Sequence, residues 1–328
     1  MATIKDVARE ARVSVATVSR VLNKHDNISL KTKLVVENAI EKLNYEPNML
    51  GRNLRRSKSG MILALMPSIS NPFYSQIVEG IEDIATKNNY TVLISGTDSN
   101  MDKENLYFNL LKQKLIDGVI LMNTLQEPEF INTLAKKYAI IQCSEYSEEV
   151  DIPFISIDNK KASYDAIKFL IKLGHKDIAL INSDEEFLYA RRRKEGYIEA
   201  LKESGISIRE EFMGQVGLGF DNGRRMVKRL LKLEKPPTAI FAVSDILAIG
   251  AIKEIHEAKL RVPEDIAVIG FDNIEFANMS TPSLTTIAQP MYQIGCEATK
   301  MLLKRIDNID TKIDNLILDY NLIIREST

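Results

Sequence analysis

Hydrophobic residues recur at two different periods along this 328-residue chain, and the period changes near residue 60. Before that point the spacing is helical. Ile4, Val7, Ala8 and Ala11 fall at i, i+3, i+4 and i+7 behind Thr3, which can cap a first helix with Asp6 three residues on. Arg12-Val13 make a break, and Ser14 can cap a second helix from Val15 to about Leu22. Val18, Val21 and Leu22 point that helix inward, which leaves Val15, Ala16, Thr17, Ser19 and Arg20 outside. Ser29 caps a third predicted helix whose buried set is Leu30, Leu34, Val35, Ile40 and Leu43; it stops near Asn44, ahead of Pro47.

Past residue 60 the texture changes to apolar runs alternating with amphipathic stretches. "MILALM", "TVLIS", "DGVILM" and "AIIQC" are predicted strands, with helices over about 75–88, 102–114 and 127–138. A second series follows, "FISID", "DIALIN", "TAIFAV" and "IAVIGFD", with helices over about 160–172, 190–204, 222–233 and 245–258. Near-continuous apolar strands mean buried parallel sheets, and two series mean two doubly wound α/β lobes. "TTIAQPMYQIG" onward adds a helix over about 291–306 and a final strand pair. The expected division is a three-helix headpiece over 1–46, a hinge helix or linker over 47–60 and a core over 61–328. Within the core, lobe 1 takes about 61–158 plus 290–318, and lobe 2 about 159–289 plus 319–328.

Charge sharpens this division. The net charge of −2 hides an asymmetry, because residues 1–60 hold twelve Lys/Arg against six Asp/Glu while the remainder holds 31 against 39. A basic head on an acidic body points to a nucleic-acid module joined to something else. Helix, tight break and second helix with short outward side chains is a helix-turn-helix pattern. Val15 and Ala16 suit thymine methyls, Arg20 a guanine edge, and Thr17 and Ser19 phosphates. In the basic stretch "PNMLGRNLRRSKSG", Leu54 either wedges between base pairs from the minor groove, with Arg52, Arg55 and Arg56 on phosphates, or packs on its own domain.

Other chemistry is sparse. "GLGFDNG" has the spacing G-x-G-x-x-x-G and does not open a lobe, so it carries no dinucleotide site. His25, His175 and His256 are isolated, and no Walker-type loop or nucleophile elbow occurs, so neither an enzyme nor a cofactor is expected. Cys143 and Cys296 lack ligand-like spacing and read as inert buried thiols. No apolar run approaches a membrane span and the charged N-terminus has no apolar signal core, so a cytoplasmic protein without membrane contact is expected. In open α/β sheets small molecules bind beyond the carboxyl ends of strands. There lie Asn71, Phe73 and Tyr74, then Asp158, Ser244 and Asp245, then Asp272, Asn273 and Gln289. Carboxylates and amides beside a ring suit a sugar. For Asp158 and Asp245, helix capping competes evenly with ligand contact.

"TIKDVAREARVSVATVSRVLN", "LNYEPNMLGRNLRRSKS", "SNPFYSQIVEGIE", "DGVILM", "GHKDIALI", "RRRKEGY", "PPTAIFAVSDILAIGA", "VPEDIAVIGFDN" and "TPSLTTIAQP" occur in this order over essentially the whole chain. In this the sequence resembles the lactose-repressor (LacI/GalR) family of bacterial transcription regulators. The resemblance implies a helix-turn-helix headpiece, a hinge helix and a core like periplasmic sugar-binding proteins. It further implies a homodimer on near-palindromic operator DNA under control of a small effector, a sugar or sugar phosphate. Carried over, base contact falls on Val15, Ala16 and Arg20, and phosphate contact on Ser14, Thr17, Ser19 and Asn23. Thr3, Asn48 and Arg55 join the DNA-contact set, and Leu54 becomes the wedge. The implied effector cleft comprises Asn71, Phe73, Arg193, Asp272 and Gln289, with Asp158, Ser244 and Asp245 as candidates from the strand ends.

Gly51 stands where such proteins often have Ala, and Arg191-Arg192 before Arg193 either hold a phosphorylated effector or are solvated. "GIEDIAT", "QPMYQIG" and "NMDKE" look most like the Gram-positive catabolite-control branch, whose members answer to a serine-phosphorylated phosphotransferase carrier protein. Tyr292, Gln293 and Lys300 occupy the corresponding helix, with Lys300 in place of that branch's arginine. Control by such a carrier is therefore an alternative to a small effector. A bare sugar-binding receptor is a weaker one, because it leaves the basic head unexplained.

Overall fold

Thr3 and Asp6 cap one another at the start of the chain: the Asp6 amide donates to Thr3 Oγ1 at 3.4 Å and the Thr3 amide to Asp6 Oδ2 at 2.9 Å. Helix α1 (Ile4–Glu10) follows. Arg12 then turns left-handed at φ +53, the Val13 amide returns to the Ala8 carbonyl at 3.0 Å, and α2 (Val15–Leu22) leaves in a new direction. Ser14 Oγ caps it by accepting from the Thr17 amide at 3.1 Å. Helix α3 (Leu30–Lys42) completes a small core of Val7, Ala8, Ala11, Val18, Val21, Val36 and Ala39. The computed structural model describes residues 2–22, 28–45 and 58–328, and resolves into two units, 1–59 and 60–328.

One expectation for α3 fails. Leu30, Leu34 and Val35 are 79, 58 and 42 % exposed, whereas Val36 and Ala39 are buried and Ile40 and Leu43 pack beside them. Val36, Ala39, Ile40 and Leu43 form the true i, i+3, i+4, i+7 set, and a residue two positions away on a helix faces nearly the opposite way. Asn44, at φ +46, stops the helix.

In the second unit, six strands form one parallel sheet: β1 (Met61–Met66), β2 (Thr91–Gly96), β3 (Gly118–Leu121), β4 (Ala139–Cys143), β5 (Phe154–Ile157) and β11 (Leu316–Leu318). Their order is β11-β5-β4-β3-β1-β2. The other sheet has β6 (Ile178–Asn182), β7 (Met213–Gln215), β8 (Ala239–Ala242), β9 (Ala267–Asp272), β10 (Thr285–Ala288) and β12 (Asn321–Ile323), in the order β12-β10-β9-β8-β6-β7. Among the described strands only β12 runs antiparallel, against β10. Helices α4 (Phe73–Lys87), α5 (Met101–Lys112), α6 (Pro128–Ala135) and α12 (Met291–Asp307) flank the first sheet. Helices α7 (Asn159–Lys172), α8 (Leu188–Glu203), α9 (Phe220–Leu230), α10 (Asp245–Glu257) and α11 (Glu275–Met279) flank the second.

The chain therefore crosses between lobes after β5, after β10 and between β11 and β12. Strand β5 opens the second apolar series in sequence yet pairs with β4 and β11 in the first sheet, because periodicity assigns a strand but not its sheet. The final two strands, β11 and β12, lie in different sheets, on either side of the expected 318/319 division. Strand β7, with only three residues, carried no readable alternation. Close packing of α8 on α7 rests on Gly196, where a Cβ would sit 2.1 Å from the Lys160 carbonyl oxygen. That approach sets where the residues one turn earlier on α8 point.

Candidate functional site

On the headpiece, α2 buries Val18 and Val21 and turns Val15, Ala16 and Arg20 to solvent, with Val15 37 % exposed. Thr17 and Ser19 are half-buried, and Ser14 Oγ and Thr17 Oγ1 share a hydrogen bond of 2.9 Å. The result is a short, low-relief polar surface ending in a guanidinium, the shape that fits a major groove. Thr3 is exposed but its hydroxyl already meets Asp6 Oδ2 at 2.7 Å. Asn23, Asn48, Leu54 and Arg55 lie outside the described residues.

In the core, both sheets end in loops that face one another across a cleft. Three adjoining cavities of about 500, 50 and 480 Å³ occupy it. Asn71, Phe73, Arg193, Ser244 and Asp272 line the smallest, together with Tyr74, Asn159 and Tyr189. Arg193 comes from α8 and is almost fully buried. Its Nε donates to Asn159 Oδ1 at 2.9 Å and its Nη1 to the Val243 carbonyl at 2.5 Å, with Asp272 Oδ1 3.7 Å from Nη1. The guanidinium lies 3.5 Å from the Phe271 ring centre and 4.9 Å from that of Tyr189. Asp272 leaves β9 at φ +117, a left-handed conformation that aims its carboxylate back at the arginine. Burial pushes the Asp272 carboxyl well above the usual range, against the pull of Arg193 and the Gln289 amide.

Three of the candidate ligand residues take other jobs. Asp158 is exposed and caps α7, accepting from the Lys161 amide at 2.9 Å. Asp245 is wholly buried behind the cleft wall; it accepts from Thr286 Oγ1 at 2.6 Å and the Ile274 amide at 2.9 Å, so it braces the loop after β9. Gln289 sits one layer back, its Nε2 donating to Asp272 Oδ1 at 2.8 Å, and so positions that carboxylate. Ser244 caps α10 while lining the cavity, and Asn71 Oδ1 caps the turn into α4 through the Phe73 amide at 3.1 Å. Arg191 and Arg192 both make contacts within the chain. Arg191 Nη1 donates to the carbonyls of Glu185 and Glu186, and Arg192 pairs with Glu148 and Glu195.

Glu145 was missed, although it follows β4 just as Asn71 follows β1. It lines all three cavities and accepts from the Leu188 and Tyr189 amides at 2.6 and 3.2 Å, tying lobe 1 to the first turn of α8. Tyr189, four residues before Arg193 and thus on the same helix face, was missed too, as was Asn159 beside the capping Asp158. Among the described residues no His, Cys, Asp or Glu cluster suited to a metal ion occurs, and no helix is long and apolar enough to cross a membrane.

Comparison with known proteins agrees with this two-part layout. Residues 3–48 match the profile of the lacI family of bacterial regulatory proteins, and residues 167–328 that of a periplasmic binding protein-like domain. The HTH-type transcriptional repressor CytR of Escherichia coli is 38 % identical over 328 residues, covering 100 % of this chain and 96 % of the relative. Catabolite control protein A of Priestia megaterium is 37 % identical, covering 99 % of both. Among solved structures, the Lac repressor dimer bound to operator and the anti-inducer ONPF has a TM-score of 0.89 at 29 % identity, covering 99 % of this chain and 98 % of that one. A LacI family regulator from Enterococcus faecium with bound ribose has a TM-score of 0.74 at 30 % identity, covering 82 % and 98 %.

Proposed function

This chain belongs to the LacI family of bacterial transcription regulators, and from that premise we propose that it is a repressor that binds a near-palindromic operator as a homodimer, released or tightened by a small carbohydrate in the inter-lobe cleft. The observation that carries the reading is the outward face of α2. Val15, Ala16 and Arg20 offer two apolar contacts and one bidentate donor at a spacing that suits base edges, while phosphate contacts from the basic head supply salt-dependent affinity. For the effector, the paired Arg193 and Asp272 beside the Phe73 and Tyr189 rings match what a sugar needs, namely donors and acceptors for hydroxyls and a flat face for its C–H side. For the dimer, α11 leaves Phe276 and Met279 50 and 62 % exposed, an apolar pair suited to a second copy.

A coupling of about 1–3 kcal/mol between cleft and headpiece would change operator affinity about 5–150-fold, enough for regulation. Selection of binding sites from random duplex DNA by the full chain tests the reading. A two-fold-related pair of half-sites, bound with a steep negative salt dependence, is the expected result; recovery of unrelated sequences would sink it.

Similarity to catabolite control protein A favours a second reading, activation by a phosphorylated carrier protein. Against it, Lys300 Nζ is already paired with Glu297 at 2.7 Å and Tyr292 OH with Asp83 at 2.6 Å, so the residues such a partner would use are held within the chain.

A further inference from the structure

A helix N-terminus that faces a cleft is a ready seat for an anion, because its first-turn amides lack partners and the helix dipole adds positive potential. The 16-residue α8 presents such an end to this cleft. Its seat is taken. Leu188 and Tyr189 donate to the Glu145 carboxylate at 2.6 and 3.2 Å, across from the other lobe. The remaining cations are also engaged, Arg193 by Asn159, Val243 and Asp272, and Arg191 by two backbone carbonyls. Among the described residues, the three cavities are lined by Asp98, Glu127, Glu145, Glu186 and Asp272 against only those two arginines, and by no lysine or histidine. Asp98 is paired with Lys103, and a further negative group placed there would still meet Glu127, Glu145, Glu186 and Asp272 against two guanidiniums that the chain already holds.

We propose that the cleft takes uncharged polyhydroxylated ligands and rejects their phosphate esters, and that Glu145 sets this choice by holding its own carboxylate in the anion seat of α8. This rests on the cleft being the effector site. The raised carboxyls of Glu145 and Asp272 accord with it, since burial there already opposes the negative charge the protein carries. Glu145→Gln removes the negative charge while keeping an acceptor for the amides, and a short side chain as in Glu145→Ser also vacates the seat and leaves two amides facing the cavities; both changes turn the preference toward an anion.

The test is calorimetric titration of the full chain and of Glu145→Gln with D-ribose, ribose 5-phosphate, D-glucose, glucose 6-phosphate and inorganic phosphate. Glu145→Ser serves as a second variant, and each is checked for a native circular dichroism spectrum. For wild type, each ester is expected to bind at least about 100-fold more weakly than its parent sugar, with no saturation by inorganic phosphate to about 10 mM. In a folded variant, phosphate or an ester is expected to gain about 10-fold or more, while the parent sugar changes less. Wild type binding an ester as tightly as its parent overturns the assignment, as does the absence of any phosphate gain in both folded variants. If wild type takes neither sugar, the sugar reading loses support, and the inorganic phosphate titration then decides the role of Glu145 without it.

Discussion

Arg193 is held by Nε on Asn159 Oδ1 and Nη1 on the Val243 carbonyl, stacks on Phe271 and faces Asp272, which leaves other guanidinium N–H groups for the proposed sugar hydroxyls and fixes the ion pair in place beforehand. Preorganisation of this kind lowers the ordering cost of binding. Glu145 has a separate signature in pH. Burial pushes its carboxyl up to about 7 from an ordinary 4.5, with the Leu188 and Tyr189 amides pulling the other way. An acid raised in the folded state contributes stability that is full below its unfolded value and lost as pH rises through its folded one. Glu145→Gln has no such titration. The melting temperature of Glu145→Gln relative to wild type is therefore expected to rise between about pH 5 and pH 8, which differential scanning calorimetry would show; a gap independent of pH would contradict the burial of this charge. At this scale the sequence was half legible. Arg193 and Asp272 stood out by motif and by position at a strand end, but Asp245 satisfies the same rule and turns inward to Thr286. Which way a side chain turns is decided by neighbours far away in sequence.

Helix termini show what local chemistry settles. The caps at Thr3, Ser14 and Ser29 were readable because a hydroxyl three residues before an amide needs no tertiary context. Helix α3 was not, since two overlapping apolar sets compete and only packing against α1 and α2 selects Val36 and Ala39. The same logic separates a cap from a ligand residue. Asp158→Ala removes the side-chain acceptor for the Lys161 amide, so it is expected to cost about 1 kcal/mol of stability. Effector affinity should stay unchanged, and denaturant titration beside calorimetry on the same variant measures both. A large loss of affinity at unchanged stability would return Asp158 to the cleft.

The chain carries a helix-turn-helix head and a two-lobed core, and within the core it crosses between the lobes three times. Alternation of strands and helices made both sheets legible, while the pairing partners of the C-terminal strands, β5 for β11 and β10 for β12, were not. Dimerisation belongs to this scale. Phe276→Glu places a charge in the exposed apolar pair on α11, and is expected to give monomers in analytical ultracentrifugation and to weaken operator binding strongly, with effector affinity retained. Unchanged sedimentation would move the interface elsewhere. The central claim is that α2 reads DNA, and the most direct measurement is operator affinity by fluorescence anisotropy for wild type and Arg20→Ala, on the selected duplex and on one with the contacted base pair replaced. A loss of about 1–3 kcal/mol per half-site, together with lost discrimination at that base pair, is the predicted result. Unchanged affinity and unchanged base preference would contradict the account.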